Sequence, residues 1–107
     1  MIGAVAENLG IVQVLAERHD AAPFPDCRGE EIDGVDLVLV DADLHGCVVH
    51  FLGRPFGNDQ WQRDILRRVT EDLDRIVPQL PTEWSGYFVE ARELAHAVLE
   101  AVGPAAP

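Results

Sequence analysis

Proline and glycine gather at four points of this chain, and those points decide what it can fold into: Pro23-Phe24-Pro25, Gly53-Arg54-Pro55-Phe56-Gly57, Pro78 to Pro81, and Gly103-Pro104. Proline removes a backbone donor and drives the residue before it out of the helical region, so no helix passes through these points intact. Between them, three stretches carry apolar residues at helical spacing. Val5, Leu9, Val12 and Ala16 recur with Glu7, Gln13 and Glu17 between them, which predicts a helix over 2–18. Gly10 inside it costs roughly 1 kcal/mol relative to alanine, so either a neighbour packs close there or the helix is weaker than its pattern. Trp61, Ile65, Leu66, Val69, Leu73, Ile76 and Val77 form the stripe of a helix over 59–78, capped by Asn58 or Asp59. Its opposite face sets Asp64 with Arg68, Arg67 with Glu71 and Glu71 with Arg75 at i, i+4. Trp84, Tyr87, Phe88, Ala91, Leu94, Ala95, Val98 and Val102 mark a last helix over 83–102, stopped at Gly103-Pro104, with Ala105-Ala106-Pro107 as a frayed tail.

The segment 35–53 admits two descriptions. As strands, Val35–Val40 and Cys47–Leu52 flank an Asp-Ala-Asp-Leu-His-Gly turn, and their β-branched content suits that. As a helix, Val35, Leu39, Ala42, Gly46 and Val49 share one stripe and Asp36, Asp43 and His50 another. A helix apolar nearly all round belongs at the centre of a bundle. A lone two-stranded hairpin is marginal in water, and no third strand is evident. The expected architecture is therefore all-α, a compact four-helix bundle with its second helix over 35–53. An α+β fold with a β-hairpin at 35–52 is the alternative.

Composition narrows the function classes. The 107 residues, 48% of them hydrophobic, fit a single helical domain over 1–107 that hides roughly two thirds of its unfolded surface. Nineteen acids against eight bases, all arginine, give a net charge of −11, which opposes a nucleic acid partner because no excess of cations is there to displace counterions. The longest aliphatic run, Leu37 to Val40, is far short of the ~20 residues of a membrane span. Glu7 and Asn8 interrupt the N-terminal apolar stretch, unlike a secretory signal, so no membrane association and a cytoplasmic location are expected. Cys27 and Cys47 are then reduced. Cys47, beside Val48 and Val49, reads as an inert small hydrophobe, and Cys27, beside Arg28, as the more reactive thiol.

Candidate chemistry centres on Asp36, Asp41, Asp43, His45 and His50. On a helix, Asp41 and His45 stand one turn apart, close enough to share a divalent metal. Two ligands do not fill a coordination sphere, and the same residues serve equally as polar positions of a bundle helix paired with Arg63 or Arg67 on a neighbour. Glu90-x-x-Glu93 and Glu71-Asp72-x-Asp74 resemble, in residue type alone, the magnesium-holding acidic pairs of all-α nucleotide pyrophosphatases. The order and spacing depart from that family's pattern, and exposed charges beside Arg75 and Arg92 account for the same residues. No nucleophile elbow and no phosphate-cradling glycine loop is present, and no cofactor is implied.

Charge distribution is the feature that points to a partner. From Asp20 to Asp43 eight acids stand against one base, Arg28. Acids of this kind form either a solvated connector or an acidic docking surface for a basic protein partner, as small inhibitors, immunity proteins and antitoxins use. In the docking case Phe24, held in its Pro23-Phe24-Pro25 turn, is the apolar anchor, and Asp20, Asp26, Glu30, Glu31 and Asp33 steer. The expected function is a small acidic, non-enzymatic protein-interaction module that binds a basic partner or a second copy of itself. The alternative is a metal-dependent enzyme using the Asp and His residues of the second helix, Asp41 and His45.

Overall fold

The computed structural model describes residues 2–54 and 59–103, without the side chains of 2–7. The Pro55-Phe56-Gly57 break, the Asn58 cap, Pro104 and the tail at 105–107 lie outside the described residues. The elements are α1 (Ile2–Ala21), β1 (Glu31–Ile32), β2 (Val35–Asp36), α2 (Leu37–Gly53), α3 (Gln60–Ile76), a 3-10 turn at Val77–Gln79, and α4 (Thr82–Val102). Most of the described residues are helical, in four helices packed against each other. Helix α1 runs nearly one turn beyond its expected end at 18 and stops at Ala21, just short of Ala22, the residue that Pro23 excludes from helix.

Between α1 and α2 the chain is not all loop. Asp33 and Gly34 both take positive φ, 49° and 80°, the backbone of a type I′ turn that matches the twist of a hairpin. It pairs Glu31 with Asp36 and Ile32 with Val35. A hairpin therefore exists, but at 31–36, and 37–53 is helical. Asp36 ends the hairpin and starts the helix, its Oδ1 accepting the Leu39 N–H at 3.0 Å as an N-cap.

The centre of the bundle is α4, not the second helix. Helix α4 packs extensively on α1 and α3 and also on α2, whereas α1 and α2 scarcely touch. Phe88 is fully enclosed and belongs to one core with Val12 and Ala16 of α1, Leu37, Leu44 and Val48 of α2, and Leu66, Val69 and Leu73 of α3. Because α2 is peripheral, it buries Leu37, Val40, Leu44, Cys47, Val48 and Phe51 and turns its other half outward. The expected stripe of Leu39, Ala42, Gly46 and Val49 is exposed, and Val35 is buried in β2 instead. Trp61 also departs from its expected buried place and is 60% exposed, since it lies in the first turn of α3, more than a turn ahead of Leu66, where burial of that helix begins.

Arg63, Arg68 and Arg75 of α3 reach across elements, and Arg75 also pairs along its own helix. Arg68 pairs with Asp43 of α2 at 3.2 Å, and Arg75 with Asp33 of the hairpin turn at 3.0 Å and with Asp72 at i, i+3. Asp59 occupies the N-cap position of α3 without a capping bond, its carboxylate lying 2.8 Å from His50 of α2. Arg63 extends to the Val102 carbonyl at 3.5 Å, an orphan acceptor of the α4 C-terminus.

Candidate functional site

Where α1 and α2 part, a cleft of about 370 Å³ opens over α4. Ala16, His19 and Asp20 of α1 line it with Ala22; Asp41, Ala42, Leu44, His45 and Val48 come from α2, and Tyr87 and Leu94 from α4. Asp41 and His45, the weak metal pair, therefore share a wall, yet the carboxylate turns to other partners. Tyr87 Oη donates to Asp41 Oδ1 at 2.8 Å, and His19 Nε2 lies 3.4 Å from the same oxygen. The Tyr87 and His19 rings are 4.4 Å apart between centroids. Burial, reinforced by the bond to Asp41, pushes the Tyr87 phenol well above its ordinary pKa, so it remains a donor throughout the neutral range. His19 is 8% exposed and its Nδ1 is buried without a partner among the described residues. Among the described residues, no group of three or more His, Cys, Asp and Glu side chains is placed to hold a metal ion.

His19 went unnoticed in the sequence, although it was visible there. Val5, Leu9, Val12, Ala16 and His19 follow one another at alternating spacings of four and three, so a helix carried one residue past 18 puts an imidazole on its buried stripe. Tyr87 reads from spacing alone as a core anchor, and nothing local reveals that its hydroxyl meets Asp41.

The acidic segment divides in two. Asp33, Asp36, Asp41 and Asp43 are taken up by Arg75, the α2 cap, Tyr87 and Arg68. Asp20, Asp26, Glu30 and Glu31 are exposed, and their carboxylates make no hydrogen bond or ion pair among the described residues. Phe24 is half-buried, edge-on to Tyr87 at 5.3 Å and to Phe88 at 6.2 Å. Its ring is a wedge between the loop and α4 and belongs to the packing around the core.

A larger apolar surface lies on α2. Leu39 is 61% exposed and Val49 56%, with Val38, Ala42 and Gly46 also exposed on the outward half of the helix and His45 the polar residue among them. One border of this face is the cleft, where Ala42 and His45 stand with Asp20. The other is a groove where Leu39 stands with Glu31. Each border thus carries one of the acids whose carboxylate has no partner among the described residues.

Neither thiol suits nucleophilic work. Cys27 is 1% exposed and its pKa is raised by burial first and then by Asp26, Asp41 and Glu30, which corrects its expected reactivity. Burial pushes Cys47 up to about 11. Four acids of α3 and α4 are likewise occupied: Asp74 meets His96 at 2.7 Å, Asp72 meets Arg75, and Arg18 reaches both Glu90 and Glu93. No helix among the described residues is long and apolar enough to cross a membrane. No protein-family model, no curated protein and no solved structure matches the chain.

Proposed function

We propose that the chain is a small acidic, non-enzymatic protein-interaction module of regulatory, inhibitor, antitoxin or immunity type that seats the outward face of α2 against a basic protein partner. The supporting observation is the exposure of Val38, Leu39 and Val49 on one face of a helix whose other face is fully used by the core. Exposed apolar residues scattered singly are ordinary, whereas a contiguous face rimmed by polar groups marks an interaction site. Here Leu39 and Val49, rather than Phe24, are the apolar anchors. Asp20 and Glu31 stand at the two borders, and Asp26 and Glu30 add to the field that draws in a basic surface.

Charge selects a basic partner over a second copy. Two copies each at −11 would bring their acidic borders together, and like charges across an interface are costly. The same charge disfavours nucleic acid, and the two free thiols suit a reducing, cytoplasmic setting.

Titration of the ¹⁵N-labelled chain with a synthetic amphipathic helix of leucine and lysine tests this. Amide shifts should concentrate at Val38, Leu39, Ala42, Gly46 and Val49, and a leucine and glutamate helix should produce none. Shifts confined to residues 20–33, or no saturable shifts at all, would remove α2 from the interface. Light scattering should give a monomer, and a dimer dissolved by Leu39→Asp would make the face a self-association surface instead.

A further inference from the structure

The cleft between α1 and α2, which borders the outward face of α2, has the chemistry of a ligand site. Its volume of about 370 Å³ falls within the range of small-molecule pockets, which combine apolar walls with a few fixed polar groups. The walls are apolar at Leu44, Val48 and Leu94, and the ionisable groups are Asp20, Asp41, His19, His45 and Tyr87. No arginine lines the cleft and the chain has no lysine, so an anion finds no fixed cation there.

Asp41 is anchored through one oxygen only. Both Tyr87 Oη and His19 Nε2 address Oδ1, which fixes the carboxylate while Oδ2 keeps its lone pairs. In the tautomer whose Nε2 proton is directed at Asp41, Nδ1 of His19 is an acceptor. That buried Nδ1 has no partner among the described residues, and an unsatisfied buried polar atom carries a standing cost that a donor would relieve. Aromatic faces beside a carboxylate attract a positive charge further.

We propose that the cleft binds a small organic cation, a primary or secondary ammonium on a short apolar body, with its N–H groups donated to Asp41 Oδ2 and to the imidazole of His19. A metal ion is a poorer match, because one fixed carboxylate does not supply a coordination sphere and the apolar walls would go unused. The apolar body lies along Leu44, Val48 and Leu94, with Asp20 at the side drawing the cation in.

The full chain titrated with phenethylammonium and n-butylammonium, followed by calorimetry and by the ring resonances of His19 and Tyr87, tests this. Saturable binding tighter than ~5 mM is expected for both amines, with butanol, butyrate and phosphate not binding. Asp41→Asn, which keeps an acceptor for Tyr87, should weaken the amines by about tenfold. The exposed Asp20→Asn, which has no packing to lose, should weaken them by about twofold. Failure of both amines to saturate, equal binding of butanol or butyrate, or amine affinity unchanged in Asp41→Asn would each overturn the site. A zinc titration showing micromolar binding that Asp41→Asn abolishes would replace the organic cation with a metal.

Discussion

Tyr87 Oη donates to Asp41 Oδ1 at 2.8 Å, joining the second turn of α4 to the second turn of α2. The bond holds α2 to the central helix along the side where α1 has drawn away. A hydrogen bond to a charged acceptor in a partly buried site contributes about 1–2 kcal/mol. Tyr87→Phe should therefore lower the unfolding free energy by that amount in urea denaturation, with an unchanged m-value. A loss below about 0.3 kcal/mol would show that the bond contributes nothing to stability.

Gly10 and Gly34 should respond to alanine in opposite directions. Among the described residues nothing lies within 4 Å of where a Cβ would sit on Gly10, a helical residue of α1, so no close packing there justifies the glycine. Gly10→Ala should stabilise by up to about 1 kcal/mol. Gly34, with φ of 80° in the hairpin turn, pays for any side chain in backbone strain, and Gly34→Ala should destabilise by about 1 kcal/mol. Thermal melts of the two variants read both signs. Shifts in the same direction would contradict these backbone assignments.

Thiol reactivity should report the burial of both cysteines. At pH 8 native Cys27 and Cys47 should react with a disulfide reagent far more slowly than in denaturant, because each pKa is raised by burial before any charge acts. For Cys47 the folded value of about 11 stands above the ordinary 9.0. From pH 9 to 11 the unfolded chain loses this proton while the folded chain keeps it, so stability is full below 9 and falls as pH rises through that window. Cys47→Ala should flatten part of this alkaline decline, and an unaltered slope would place the thiol in water.

Helical periodicity in the sequence carried most of the fold, since all four helices follow breaks and stripes that are local. What escaped it depends on contacts between distant residues. The hairpin at 31–36 has only two residues in each strand, too few for an alternating pattern, and its signal was the pair Asp33-Gly34 alone. Apolar residues all round α2 suggested a central helix, because spacing records how many faces are apolar but not which of them a neighbour covers. Leu39 and Val49 were legible as a stripe, and their exposure was not. At the cleft, Asp41 and His45 stood out by their helical spacing. The residues that organise Asp41 come from 22 positions before it and 46 after it, beyond the reach of any local pattern.

The affinity of a labelled leucine and lysine helix for the wild type and for the Leu39→Asp, Val49→Asp double variant tests the role of α2 most directly. Both substituted positions are more than half exposed, so the double variant should keep its melting behaviour within about 0.5 kcal/mol per site. The wild type should bind with a Kd of ~1–50 μM that weakens as salt rises above ~0.15 M. The folded double variant should lose at least about tenfold in affinity. Equal affinity of the two proteins for the peptide would contradict the assignment of α2 as the docking face.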